Sequence, residues 1–91
     1  MELSVEISKY PLTEVDYVTA IKDFIERINQ YSDIKVLTNV MSTQLFGDYD
    51  VVMSALTKEL KVSFEKYGTV VFACKFIPDN LLNKYGDKYQ G

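Results

Sequence analysis

The amino-acid sequence predicts a single α+β domain in which two helices cover one face of a four-stranded antiparallel sheet. Three observations lead to this fold class. The chain has 91 residues, which is enough for one small domain. Its hydrophobic and charged fractions, 47% and 25%, are ordinary for a globular protein. Its residue patterns are those of strands in four segments and of helices in two.

The first strand is predicted over Glu2–Tyr10, because Leu3, Val5 and Ile7 alternate with polar residues there. Alternation with a period of two is typical of a strand with one buried face. Pro11 is expected to end this strand, since proline has no N–H group to donate to the sheet.

The first helix is predicted over Glu14–Gln30. Thr13 is a candidate N-cap, and Asp16 stands in the capping-box position three residues later. The apolar stripe expected to face the sheet consists of Val18, Ile21, Ile25 and Ile28. The charged residues off this stripe, which we expect to be solvated, are Lys22, Asp23, Glu26 and Arg27.

A hairpin is expected next. The second strand is predicted over Ile34–Val40, where β-branched residues are enriched. The third is predicted over Ser42–Phe46 and is closed by the Gly47–Asp48 pair. The join near Asn39–Met41 must be a tight turn or contain a bulge, and no Asn-Gly pair fixes its register.

The second helix is predicted over Tyr49–Lys66, with Asp48 as its N-cap and Gly68 just past its end. Its expected apolar stripe consists of Met53, Leu56, Leu60 and Phe64. The fourth strand is predicted over Thr69–Ile77 because its residues are nearly all apolar, and Pro78 ends it.

The resulting order, β-α-β-β-α-β, predicts a ferredoxin-like domain, because right-handed crossovers place both helices on the same face. We assign residues 1–78 to this ferredoxin-like domain and residues 79–91 to a C-terminal tail. Leu81 and Leu82 in the tail predict one helical turn that covers an edge of the sheet. The uncovered face of the sheet must meet water, a ligand or another chain.

Composition argues against many kinds of site on this fold. The chain has no histidine and one cysteine, which argues against histidine-dependent catalysis, most zinc sites and an internal disulfide. We predict no metal site. Iron–sulfur ligation needs about four cysteines. A single arginine and scattered lysines disfavour nucleic acid as a partner. The four glycines form no anion-binding cluster.

Membrane insertion is not expected, since no run of about 18 apolar residues occurs. The acidic, alternating N-terminus does not resemble a signal peptide. We therefore expect a cytoplasmic protein. Cys74 lies in an apolar strand with Lys75 on the opposite face, so a packing role is favoured over a reactive thiol.

Glu2 and Glu6 project from the same side of the first strand. They are a polar outer face, or one of them accepts hydrogen bonds from an amino-bearing ligand, or the pair performs acid–base catalysis. Several tyrosines stand near the ends of elements, where they could stack on a flat heterocycle or pack at the rim.

One segment carries a resemblance. The run Met41-Ser42-Thr43-Gln44-Leu45-Phe46-Gly47-Asp48 resembles the signature of the thiamine/hydroxymethylpyrimidine-binding YkoF-like family. The segment Ser8–Leu12, the pair Asp16–Tyr17 and the segment Val70–Phe72 agree with it. The resemblance covers nearly all of residues 2–82.

The resemblance implies a binding protein rather than an enzyme, with thiamine or hydroxymethylpyrimidine as ligand and no cofactor. Because some members carry two such domains and this chain carries one, it also implies a homodimer or homotetramer. We expect assembly through the open sheet face or an exposed strand edge, with the ligand near the contact. The alternatives are an oligomerisation or regulatory domain that has lost the ligand, and a small isomerase that uses an acidic residue.

The residues fit this implied ligand. An aminopyrimidine has an amino donor and ring-nitrogen acceptors, which suit a carboxylate, an amide and hydroxyl groups. An aromatic wall suits the cationic thiazolium of thiamine. The predicted site consists of Glu6, Ser8, Tyr10, Tyr17, Ser42, Thr43, Gln44 and Phe46. Alternation requires that Thr43 face away from Ser42 and Gln44 if those two share a face.

Overall fold

A computed structural model describes the backbone of residues 1–11 and 17–89 and the side chains of residues 1–9 and 18–86. The elements are β1 (Glu2–Pro11), α1 (Tyr17–Ile28), β2 (Lys35–Thr38), β3 (Thr43–Asp48), α2 (Tyr49–Tyr67), β4 (Val70–Ile77) and α3 (Leu81–Tyr89). The first six confirm the predicted β-α-β-β-α-β order. The predicted cap at Thr13 and Asp16 lies outside the described residues.

The four strands form one antiparallel sheet in the order β2-β3-β1-β4. β1 is therefore central, and its Glu6 lies opposite Gln44 of β3 and Lys75 of β4. Residues directly opposite each other project from the same face of a sheet. This register assigns every described strand residue to one of two faces.

The helix face of the sheet carries the hydrophobic core. The buried residues include Leu3, Val5, Ile7 and Leu45 of the strands, Phe24 and Ile28 of α1, and Val52 and Leu56 of α2. The alternation predicted for β1 is confirmed, because Leu3, Val5 and Ile7 are all buried in the core on the helix face.

The buried stripe of α1 differs from the predicted one. Ala20, Phe24 and Ile28 are buried, whereas Val18 is 54% exposed. These buried positions are four residues apart, so they lie in one row along the helix. Because the Phe24 ring is the largest fully buried side chain, this row faces the sheet. The prediction that Val18 belongs to the stripe is wrong.

Arg27 is not solvated as predicted but joins α1 to α2. Its guanidinium donates to Oε1 of Glu59 at 2.7 Å, to Oγ of Ser63 at 2.7 Å and to Oδ2 of Asp23 at 3.1 Å. The Tyr31 hydroxyl also donates to Glu59, at 2.6 Å. Charge-assisted bonds of this kind allow charged groups to be buried.

This polar cluster also changes the stripe predicted for α2. The buried residues of α2 are Val52, Ala55, Leu56, Glu59 and Ser63, so only Leu56 of the predicted stripe is fully buried. Phe64 is 46% exposed and packs edge-on against Phe72 of β4. An apolar stripe was the wrong criterion here because two of the inward positions are polar.

The junction between β3 and α2 contains no loop. Asp48, predicted to close the third strand, is its last residue, and α2 begins at Tyr49. As predicted, Asp48 caps α2, since its Oδ2 accepts from the N–H groups of Asp50 and Val51. Gly68 follows α2 with a φ of 74°, a conformation that favours glycine.

The C-terminal tail forms a longer helix than predicted. α3 has nine residues and begins over the open face of the sheet, beside Ser4, rather than at an edge. Ser4 was expected to be an outward polar residue, but it is buried beneath the start of α3. In the part of the chain that the structure describes, every helix is too short or too polar to cross a lipid bilayer.

Candidate functional site

A groove of about 710 Å³ lies on the open face of the sheet, with α3 along one side. The register arranges its floor in two rows that run across the strands. The Glu6 row consists of Leu37, Gln44, Glu6 and Lys75, and the Ser4 row consists of Phe46, Ser4 and Ile77. The rows are two residues apart along each strand, which is about 7 Å.

The Glu6 row is polar at its centre. The Oε1 atom of Glu6 lies 3.6 Å from Nζ of Lys75, and its Oε2 accepts from the Ser42 hydroxyl at 3.2 Å. The Lys75 side chain is 81% exposed, so this ion pair is weak and can open. Gln44 projects beside Glu6 from the neighbouring strand.

The hairpin between β2 and β3 positions Ser42 beside the Glu6 row. The Asn39 carboxamide oxygen accepts from the N–H groups of Met41 and Ser42 at 2.8 and 3.0 Å, and the Asn39 N–H donates to the Ser42 carbonyl. This Asx turn makes a tight hairpin, which is one of the two alternatives that the sequence left open. It holds Ser42 where its hydroxyl reaches Glu6.

The start of α3 packs against the Ser4 row. The Ser4 hydroxyl donates to the Asp79 carbonyl at 2.6 Å and accepts from the Leu81 N–H at 3.0 Å. Asn80 caps the helix by accepting from the N–H of Asn83. One buried hydroxyl thus fixes the position at which α3 begins.

The structure brings together half of the predicted site. Glu6, Gln44 and Phe46 line the groove, and Ser42 contacts it through Glu6. Ser8 lies on the same face, opposite Ala73, but outside the groove lining.

Thr43 is the predicted site residue that the structure places on the opposite face of the sheet. Thr43 lies on the helix face, where it is buried with its hydroxyl 3.4 Å from that of Thr38. The alternation rule had allowed for this outcome. The side chains of Tyr10 and Tyr17 lie outside the described residues.

Sequence reasoning missed Lys75, Ile77 and α3 as parts of the groove. The sequence placed Lys75 on the face opposite Cys74 but did not pair it with Glu6. Because β1 is the central strand, Glu6 is paired with Gln44 on one side and with Lys75 on the other, and the three side chains project from the open face of the sheet. Cys74, on the other face, packs against the core, and burial raises the pKa of its thiol.

Residues 2–76 match the model of the YKOF-related family. The chain belongs to this family. It is a family of small-molecule-binding type. No curated protein sequence matches this YKOF-related chain. The matched residues include both floor rows of the groove except Ile77, and α3 follows them.

Solved structures share the fold. The hypothetical protein MJ1052 from Methanocaldococcus jannaschii is 26% identical, with a TM-score of 0.78 over 94% of each chain. Protein SP2199 from Streptococcus pneumoniae is 22% identical, with a TM-score of 0.79 over 97% of this chain and 100% of that one. A candidate thiamine biosynthesis/salvage protein from Thermotoga maritima, TM0486, is 15% identical, with a TM-score of 0.81 over 96% and 98%.

Proposed function

We propose that this protein is a non-catalytic cytoplasmic binding protein for thiamine or its hydroxymethylpyrimidine precursor, acting in salvage or transport. The carrying observation is the pairing of Glu6 with Gln44 on the floor of a groove. Membership of the YKOF-related family and the name of the similar Thermotoga maritima protein support the ligand class. The single, half-buried free thiol of Cys74 suits a reducing compartment.

The paired side chains have the hydrogen-bonding groups that an aminopyrimidine needs. A carboxylate accepts, so Glu6 can take the exocyclic amino group. A carboxamide both donates and accepts, so Gln44 can bond to a ring nitrogen beside it. Their Cβ atoms are about 5 Å apart by the geometry of opposite strand residues, which is close enough for both to contact one flat ring.

The surroundings of this pair suit a small ligand. Leu37, which is half-buried, offers apolar surface beside Gln44. The groove volume of about 710 Å³ lies within the range of about 300–1,000 Å³ that is usual for ligand sites. Ser42 keeps Glu6 in place when the exposed Lys75 moves away, so the carboxylate remains oriented for the ligand.

Calorimetric titration with thiamine and with hydroxymethylpyrimidine tests the proposal. We expect Gln44→Ala to weaken binding by about 1–3 kcal/mol, since a buried amide would lose its hydrogen bonds to the ligand. Glu6→Gln should weaken it as well, because it replaces an acceptor-only group. The matched control is Gln30→Ala, which removes an exposed amide that donates to the Glu26 carbonyl of α1, and it should leave the affinity unchanged.

Absence of binding of both compounds to the unaltered protein would contradict the proposal. If the protein then still self-associates, the alternative of an oligomerisation or regulatory domain is the better account. Tight binding that is equally tight in Gln44→Ala would place the ligand elsewhere.

A further inference from the structure

The start of α3 covers apolar surface on the open face of the sheet. Phe46 and Ile77 flank Ser4 in the Ser4 row, and Phe46 and Ser4 are only 7% and 5% exposed. Phe46 projects from the face opposite α1 and α2, and it does not belong to the core cluster. The open face therefore carries a small apolar layer of its own, separate from the core and buried beneath α3.

α3 contributes the other half of this layer. Leu81, Leu82 and Tyr85 line the groove and lie outside the core cluster. Tyr85 follows Leu81 and Leu82 by four and three residues, so the three share one side of the helix. An amphipathic helix seated by its apolar side on an apolar strip is a common mode of recognition between protein chains.

The anchor at the start of α3 recognises the backbone of a helix. The Ser4 hydroxyl donates to the Asp79 carbonyl at 2.6 Å and accepts from the Leu81 N–H at 3.0 Å. Both partners are main-chain groups, which every copy of this segment presents. A further bond, from the Asn80 carboxamide to Glu2, is long at 3.4 Å. Ser4 can therefore hold the first turn of α3 whichever copy of the chain supplies it.

The α3 segment carries its own end structure. Asn80 accepts from the Asn83 N–H at 3.0 Å through its side chain and from the Lys84 N–H at 3.1 Å through its carbonyl. Nζ of Lys84 lies 3.1 Å from Oδ2 of Asp79. These contacts join residues of the segment to one another, so they persist if α3 leaves the sheet. Its departure removes the apolar layer and the Ser4 anchor, and the core cluster is unchanged.

The connection between β4 and α3 is a short hinge that consists of residues 78–80. The Asp79 N–H donates to the Ile77 carbonyl at 2.8 Å, so the chain turns tightly around Pro78. Short hinges beside an element that docks as a unit favour the exchange of that element between copies. If this turn straightens, α3 leaves its own sheet, and the surface it uncovers fits α3 of a second copy through the same contacts.

We propose that the Ser4 row is a helix-docking site, which α3 fills within its own chain and which also accepts α3 of a second copy. The occupant is a helix rather than a strand, because β1 and β3 each already have a neighbouring strand on both sides. It is α3 in particular because the structure shows this helix seated there, with its first turn held by Ser4. The inference does not depend on the proposed ligand.

A fluorescently labelled peptide of residues 79–91 tests this docking by anisotropy on the full-length protein. In the unaltered protein the internal α3 occupies the site at a high effective concentration, so the peptide should bind weakly. Leu82→Asp places a charge on the apolar side of the internal α3 and should leave the site open. We expect this variant to bind the unaltered peptide at least tenfold more tightly than the unaltered protein does, because the competing helix is removed.

Three controls show where the peptide binds. Asn83→Asp places the same charge on an exposed position of α3 that does not line the groove, so this variant should bind the peptide as weakly as the unaltered protein does. A peptide that itself carries Leu82→Asp should bind to neither protein. Addition of Ser4→Val to the Leu82→Asp protein should weaken binding of the unaltered peptide, because its first turn loses the hydroxyl anchor.

Three results would overturn the helix-docking site. Failure of the peptide to bind the Leu82→Asp protein would mean that the Ser4 row does not accept α3 from outside the chain. Equal binding to the unaltered, Asn83→Asp and Leu82→Asp proteins would place the peptide on another surface. Loss of the folded state in Leu82→Asp, measured by circular dichroism and urea unfolding, would also contradict the inference, since it requires that α3 can leave while the core remains.

Discussion

Lys9 is a charged residue on the buried face of β1. Its Nζ donates to the Ile21 carbonyl at 3.0 Å and lies 4.2 Å from the centroid of the Phe24 ring. Burial, and then the positive charge of Arg27, lower the pKa of Lys9 to about 8, against a smaller opposing effect of Asp23. The ammonium group is therefore less stable in the folded protein than in the unfolded chain.

The lowered pKa of Lys9 predicts a rise in stability with pH. Between about pH 8 and the ordinary lysine pKa of 10.5, the unfolded chain binds more protons than the folded protein, so the free energy of unfolding increases as pH rises. Below about pH 8 both states are protonated and the slope disappears. Urea unfolding from pH 7 to 10 measures this effect.

The comparison with Lys9→Met isolates the contribution of Lys9. Hydrogen bonding to Glu59 raises the pKa of Tyr31 to about 12, and burial raises that of Cys74. Both groups therefore lower stability at high pH and oppose the rise, but they are common to the two proteins. The difference in unfolding free energy between the unaltered protein and Lys9→Met should therefore change with pH above about 8. If the unfolding free energy of Lys9→Met followed pH in the same way as that of the unaltered protein, the prediction would be contradicted. The control is Lys22→Met, which replaces an exposed lysine and should keep the pH profile of the unaltered protein.

Single residues also mark where sequence reasoning fails. Arg27 lies off the apolar stripe of α1, so the pattern predicted a solvated charge. Its partners Glu59 and Ser63 are 32 and 36 residues away along the chain, a distance over which helical spacing carries no information. Burial acts to raise the pKa of Glu59, but hydrogen bonds from Tyr31 and Arg27 together outweigh it and hold that pKa below its usual value.

The elements themselves were predictable because their signals are local. Alternation defines β1, and Asp48 and Gly68 define both ends of α2. α3 was predicted as a single turn because its apolar residues are few. In the structure, these residues pack on the open face of the sheet rather than in the core. A tail that packs on the open face of a sheet lacks the strong apolar stripe of a core helix.

At the scale of an element, the Asp48 cap predicts the stability of α2. Asp48→Ala should lower the free energy of unfolding by about 0.5–2 kcal/mol, because the N–H groups of Asp50 and Val51 lose their acceptor. Asp48→Asn should retain most of that stability, since asparagine also caps helices. Chemical denaturation of the three proteins checks this, and an asparagine variant as unstable as the alanine variant would contradict it.

At the scale of the whole molecule, the free edge of β4 suggests how copies assemble. β4 is the last strand in the sheet order and has eight residues, whereas β2 at the other edge has four. Val71, Phe76 and Ile77 of β4 are 41–49% exposed. An exposed apolar edge strand invites pairing with another chain, and α3 restricts stacking of two open sheet faces.

Pairing through β4 would also place two grooves side by side, because Lys75 and Ile77 line the groove from this strand. We therefore predict a homodimer or homotetramer. Light scattering at micromolar concentration should give a mass near 21 or 42 kDa, twice or four times the chain mass of 10.5 kDa. Val71→Lys should return the mass towards 10.5 kDa, because charges on an edge strand oppose pairing.

The same added charge at Val40 serves as the control, since Val40 is fully exposed at the tip of the β2–β3 hairpin and lies away from β4. That variant should keep the mass of the assembly. A mass near 10.5 kDa for the unaltered protein would rule out assembly at this concentration. A dimer that persists in Val71→Lys would show that the contact lies on another surface.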